Sequence, residues 1–180
     1  MDAPETDYEV FCAERHLWWF RDYDLPLCEE PSHEHRLREL HRHRHWSVIA
    51  LPDGTELVPV SFHPSDPYRR HEPSDYGLYL DPRWKPPWPH DHFDWPDFGV
   101  PGEPDRARDA LVSVLEMARA GKRVELGCVG GHGRTGTALS CLAILVGFPP
   151  SEAVAWVRAN YCSQAVETPE QEAFPLRFSL

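Results

Sequence analysis

Val124-Glu125-Leu126-Gly127-Cys128 runs straight into Val129-Gly130-Gly131-His132-Gly133-Arg134-Thr135-Gly136. The first five residues read as a short strand. The segment from Thr135 to Val146, with Leu139, Leu142, Ala143, Ile144 and Leu145, is apolar nearly all round and reads as a helix buried in the core. Between them, four glycines fall within residues 130–136. Glycine tolerates positive φ and close backbone approach. Successive amides of such a loop turn inward and form a cradle for an anion at the helix N-terminus. A thiol at the mouth of a cradle of this kind ionises more readily than an ordinary cysteine. Arg134 offers a planar fork for two oxygens of a phosphate, and Thr135 or Thr137 is placed to give a hydroxyl hydrogen bond to the sulfur. The Cys-to-Arg spacing alone carries little. Its bland alternative is a small buried cysteine before a glycine turn, with Arg134 merely paired at the surface. A nucleotide-binding P-loop fits badly, because it needs Lys-Ser/Thr after its last glycine and the residues here are Arg-Thr.

Working outward, Asp105 to Ala120 places Leu111, Val114, Leu115 and Ala118 at helical spacing and stops at Gly121. Ser151 is the expected cap of a third helix, with Ala153, Trp156, Val157 and Tyr161 on one face. Upstream, Trp46–Leu51 and Glu56–Phe62 flank Pro52-Asp53-Gly54 and predict an antiparallel hairpin, Pro59 pushing the second strand toward an edge. Tyr76 to Leu80 is a further short strand. Arg83 to Pro101, rich in Pro and Trp, reads as a long loop, and loops of that length are often functional. Residues 8–20 carry Tyr8, Phe11, Trp18, Trp19 and Phe20 and read as a cover segment of unassigned secondary structure. The charged, His-rich residues 29–45 read as a surface helix or an irregular segment. Helix, strand, glycine turn and buried helix in succession predict an α/β domain.

A formal net charge of -11 argues against a nucleic-acid partner and against an anionic membrane surface. Five cysteines (Cys12, Cys28, Cys128, Cys141, Cys162) without close paired spacing read as reduced thiols of an intracellular protein. The acidic start lacks the features of a signal peptide, and the longest apolar run falls short of the roughly 20 residues of a membrane span. The expectation is a soluble, cytoplasmic protein.

The segment from Cys128 to Gly136 resembles the Cys-x5-Arg-Thr/Ser-Gly signature of the cysteine-dependent protein-tyrosine-phosphatase superfamily. Trp95-Pro96-Asp97-Phe98-Gly99-Val100-Pro101 resembles that family's acid loop. Asp97 lies 31 residues (128 minus 97) before Cys128, a separation similar to the family's. Ala165-Val166-Glu167-Thr168-Pro169-Glu170-Gln171-Glu172-Ala173-Phe174 resembles its glutamine loop, and the three stand in the family order. Together they cover about residues 95–175. The resemblance implies a central, mostly parallel sheet flanked by helices, joined to the N-terminal antiparallel hairpin. The length of 180 residues and the lack of a linker predict a single domain over 1–180, with a cover segment 1–45 and a catalytic core 46–180. The resemblance also implies a phosphatase acting through a phosphocysteine intermediate, most simply on phosphotyrosine in proteins. The site residues it implies are Cys128 as nucleophile, Arg134 as phosphate clamp, Asp97 as proton donor, Thr135 easing thiolate departure and Gln171 orienting water. Val129, Gly130, Gly131, His132, Gly133 and Arg134 hold the phosphate, with no metal and no cofactor. The partner is a phosphorylated protein or a small phosphomonoester.

The chain departs from the family at three positions. Gly127 stands where a histidine usually orders the loop and tunes the thiolate, Glu167 stands for the first glutamine, and His132 replaces a small apolar residue. Three readings therefore stay open: a phosphatase, including dual-specificity or phosphoinositide-directed forms; a phosphate-binding module with an inert thiol; and another Cys-loop enzyme such as a sulfurtransferase or arsenate reductase. Asp97 is also a natural turn former after Trp-Pro, and Thr168-x-x-Gln171 with Pro169 is also a helix capping box. His41, His43 and His45 share one face of any strand and His90 pairs with His92. The interleaved Arg42 and Arg44 repel a cation, so a solvated face is the simpler reading. Trp84, Trp88 and Trp95 read as anchors of the proline-rich loop, with lining of the substrate entrance as the alternative. Cys141, about one helical turn beyond the loop, is a candidate disulfide partner for Cys128.

Overall fold

The computed structural model describes residues 7–12, 17–20, 32, 35–40, 48–62, 73–83 and 85–178. The chain divides into two compact units, Met1–His43 and Arg44–Leu180. In the first, β1 (Asp7–Cys12), β2 (Leu17–Phe20) and β3 (His35–Leu40) form an antiparallel sheet in the order β2-β1-β3. Val10 lies opposite Trp19 on one side and Leu37 on the other. The expectation of a helix or an irregular segment over residues 29–45 is corrected for residues 35–40. There, pairing with β1 along all six residues overrides the weak strand propensity of a charged segment. His41, His43 and His45 lie outside the described residues.

The second unit holds β4 (Ile49–Ala50), β5 (Glu56–Ser61), β6 (Tyr76–Tyr79), β7 (His90–His92), α1 (Pro104–Arg119), β8 (Val124–Cys128), α2 (Gly133–Leu145), α3 (Pro150–Asn160) and α4 (Pro169–Phe178). Its sheet runs β4-β5-β8-β6-β7. Only the β4–β5 pair is antiparallel, and the three other pairs are parallel. The mostly parallel sheet and the hairpin are therefore both present. Gly54 turns the hairpin with φ +86°, and Asp53 Oδ1 accepts the Thr55 N–H at 3.0 Å.

Pro59 does not put β5 at an edge, because β5 lies between β4 and β8. The Phe62 N–H points toward β8, bonding Val129 O at 3.1 Å. By the alternation of a strand, the Pro59 nitrogen faces the opposite flank. The ladder with β4 covers only Glu56 and Leu57, so the missing N–H removes no rung. The cap of α3 is Pro149 with no side-chain bond, and the expected cap Ser151 sits inside the helix. Within the Arg83–Pro101 loop, expected to be irregular, β7 adds a parallel strand.

Period-two alternation gives β8 two faces. Val124, Leu126 and Cys128 join one core with Leu111, Val114 and Leu115 of α1, Leu139 and Leu142 of α2, Val157 of α3 and Phe174 of α4. On the other face Val58, Val60, Phe62 and Tyr79 form a second cluster. There the buried Glu125 carboxylate accepts the Tyr79 hydroxyl at 2.8 Å, and that hydroxyl accepts Trp88 Nε1 at 2.7 Å. Trp88 is thus a hydrogen-bonded anchor, as the loop reading expected; Trp84 lies outside the described residues. Among the described residues no helix is long and apolar enough to cross a membrane.

Candidate active site

Strand β8 ends at Cys128, which is 3% exposed, and α2 begins five residues later at Gly133. The intervening turn needs glycine at Gly131, whose φ is +72°. Three contacts fix the loop. The Tyr161 hydroxyl donates to Gly131 O at 2.6 Å, and the Gly136 and Val166 amides donate to His132 O at 2.8 and 3.3 Å. Burial, with the neighbouring Cys128 and Cys162, pushes the Tyr161 hydroxyl well up, so it stays a neutral donor. His132 at the N-terminus of α2 supplies no side-chain cap, which leaves the first amides of that helix to other acceptors. Thr135 Oγ1 donates to Cys128 Sγ at 3.1 Å, whereas Thr137 bonds Gly133 O of its own helix at 2.8 Å. Of the two threonines, the sulfur has Thr135. Cys141 is a free, fully buried thiol pushed up by that burial, and nothing in the structure joins it to Cys128.

Arg134 gathers the other elements. It is 4% exposed, and its Nη1 donates to Leu80 O at 2.8 Å and lies 3.2 Å from both Asp81 Oδ2 and Trp95 O. Its Nη2 stands 3.1 Å from Asp97 Oδ1. Its Nε is buried with no hydrogen-bond partner among the described residues. Asp81 is the residue that sequence reasoning missed. Burial pushes its carboxyl up, but Arg83, which binds it with two nitrogens, and Arg134 outweigh this and hold it down at about 2. No spacing rule links the end of β6 to a position 53 residues on; only the sheet order brings them together.

The acid-loop segment lies over the guanidinium. Trp95 is buried and its Nε1 donates to Gly99 O at 2.9 Å; the Gly99 amide closes a turn to Pro96 O at 3.1 Å. Asp97 is therefore both a turn residue and a partner of Arg134, its side chain 60% exposed. Gln171 is fully buried. Its Oε1 accepts the Glu167 N–H at 2.9 Å and its Nε2 donates to Gly99 O at 3.2 Å, while its own amide is capped by Thr168 Oγ1 at 3.2 Å. Only the Thr168 half of the expected capping box is present, because the Gln171 side chain accepts from the Glu167 N–H.

Gly127 has a steric cause. A Cβ there would fall onto the Val60 carbonyl oxygen and Cγ2 of the adjacent strand. At Gly136 a Cβ would meet Ala165 and the Val166 backbone nitrogen, whereas at Gly133 it would meet only the side-chain ends of Glu167 and Gln171. Among the described residues no cluster of three or more His, Cys, Asp or Glu converges as a metal site. His90 and His92 stack edge to face at 5.0 Å, and His90 Nδ1 faces Trp88 O at 2.8 Å.

Residues 103–175 match the family model described as PTP-SAK: Swiss Army Knife protein, DSP-PTPase phosphatase domain. Two proteins of Methanocaldococcus jannaschii, described as uncharacterized proteins MJECL20 and MJ0215, are each 40% identical over 83 residues, 46% of this chain. The chain spans about half the length of these relatives, 54% and 50%. Among solved structures, Tk-PTP in its active form superposes with a TM-score of 0.53 at 27% identity, covering 59% of this chain and 78% of its own. A kinase-associated phosphatase with its catalytic cysteine replaced by serine has a TM-score of 0.52 at 16% identity. That match covers 58% of this chain and 68% of the phosphatase, and it shows the fold alone. Residues 103–175 thus match a phosphatase domain of the protein-tyrosine-phosphatase kind, and the fold of the second unit is similar to that of Tk-PTP.

Proposed function

We propose that residues 44–180 hydrolyse phosphomonoesters through a phosphocysteine on Cys128, with phosphotyrosine in proteins as the substrate class. The observation that carries this reading is the Nε of Arg134, buried and without a hydrogen-bond partner among the described residues, at the start of α2 just past the Cys128 loop. Buried donors are nearly always paired, so one left open beside a glycine-rich anion cradle is reserved for a bound acceptor. The Cys128 thiolate attacks phosphorus and forms the S–P bond. Arg134 and the amides of residues 129–134 hold the equatorial oxygens where negative charge is concentrated. As the P–O bond breaks, Asp97 gives its proton to the leaving oxygen; its carboxylate then takes a proton from the water that cleaves the intermediate. The Thr135 hydroxyl, 3.1 Å from the sulfur, stabilises the thiolate when it leaves. Gln171 spends both amide groups on loop backbone, which supports a role in holding the loops rather than in orienting water. The phosphotyrosine assignment rests on the resemblance of the Trp95-Pro96-Asp97 loop to the acid loop of tyrosine-specific phosphatases.

The test is hydrolysis of p-nitrophenyl phosphate with EDTA present. The expected result is turnover undiminished by EDTA and lowered roughly 10²- to 10³-fold in Asp97→Ala. A fully active Asp97→Ala variant would remove the acid assignment, and loss of wild-type turnover in EDTA would overturn the metal-free chemistry.

A further inference from the structure

The acid loop is fastened from behind as well as by Arg134. Thr168 Oγ1 donates to Phe98 O at 3.0 Å, and Gln171 Nε2 donates to Gly99 O at 3.2 Å. These carbonyls lie one and two residues after Asp97. Phe98 holds φ at +57°, a conformation that a non-glycine residue keeps only where its surroundings impose it. The hydroxyl that holds Phe98 is also the acceptor of the Gln171 N–H at 3.2 Å, so the residue that starts α4 also grips the acid loop.

We propose that Thr168 is a positioning residue for Asp97: its hydroxyl latches the acid loop to the N-terminus of α4 and sets where the proton is delivered. The proposal rests on the reading of Asp97 as proton donor. Capping α4 is the purely structural role that the test must separate from it.

The test uses Thr168→Val, which keeps shape and loses the hydroxyl, and Thr168→Ser, which keeps the hydroxyl. Both are made in the wild-type and Asp97→Ala backgrounds and assayed on phenyl phosphate and p-nitrophenyl phosphate. The phenolate needs a proton more than the nitrophenolate does. Thr168→Val is expected to lose about tenfold more kcat on phenyl phosphate than on p-nitrophenyl phosphate. Thr168→Ser should restore it. With Asp97 already removed, Thr168→Val should change kcat by less than about twofold, because two residues acting through one proton are not additive. Amide hydrogen exchange over residues 97–100 should quicken in Thr168→Val and not in Thr168→Ser. Equal losses on both substrates, the same loss in the Asp97→Ala background, or unchanged exchange would each overturn the latch. If the wild type shows no turnover, the Asp97 reading fails while the exchange measurement still decides whether the latch exists.

Discussion

Cys128→Ser is expected to reduce turnover of an aryl phosphate by about 10⁴-fold or more while the protein folds normally. The magnitude follows from what each atom supplies. A serine hydroxyl at this position is un-ionised near neutral pH, so there is no anion to attack phosphorus. The cradle itself is untouched: the Gly131 turn is held by Tyr161, and Arg134 by Leu80, Asp81 and Trp95. Serine is no larger than the buried cysteine and still accepts the hydroxyl of Thr135. Binding of phosphate or vanadate should therefore persist in the variant, measured by calorimetry alongside the rate. Retained turnover would remove Cys128 as nucleophile, and lost anion binding would mean that the substitution damaged the cradle instead.

The second large effect runs against the family pattern. Gly127→His, which restores the histidine common at this position, is expected to destabilise the protein by about 3 kcal/mol or more rather than to activate it. Gly127 lies in the middle of the sheet, paired to Val60 of β5 and Tyr79 of β6, and its carbonyl accepts the Leu80 N–H at 2.8 Å. Any Cβ meets the carbonyl oxygen and Cγ2 of Val60, a backbone contact that cannot rotate away. Urea unfolding should show a lower midpoint for Gly127→Ala and a still lower one for Gly127→His. A histidine variant as stable as the wild type and faster would show that the strand has room and that the missing side chain limits the reaction. In this chain Tyr161, just past the end of α3, holds the loop at Gly131 O, and Thr135 of α2 donates to the sulfur.

Much of this was legible because its determinants are local. A strand, a glycine run and an apolar helix within 23 residues (124–146) define the loop at Cys128, and Thr168-Pro169 announces the start of α4. What was not legible depends on which strands become neighbours. Asp81 meets Arg134 only because β6 lies beside β8. Gly127 read as a puzzling departure until Val60 came alongside it. Pro59 is a reasonable edge signal, and it misleads because β4 is too short to need the missing amide. The third strand of the first unit was hidden in a charged sequence whose pairing, not composition, makes it extended. Thr168 was read as a cap, and its grip on Phe98 across 70 residues left no trace in the sequence.

The most direct test of the account is to catch the covalent intermediate. The protein is mixed with an aryl phosphate, quenched within milliseconds, digested and examined by mass spectrometry. The account predicts one phosphoryl group on the Cys128 sulfur of the wild type, accumulating further in Asp97→Ala with p-nitrophenyl phosphate and absent in Cys128→Ser. Turnover with no phosphoryl group on Cys128, or with the label on another residue, would contradict it.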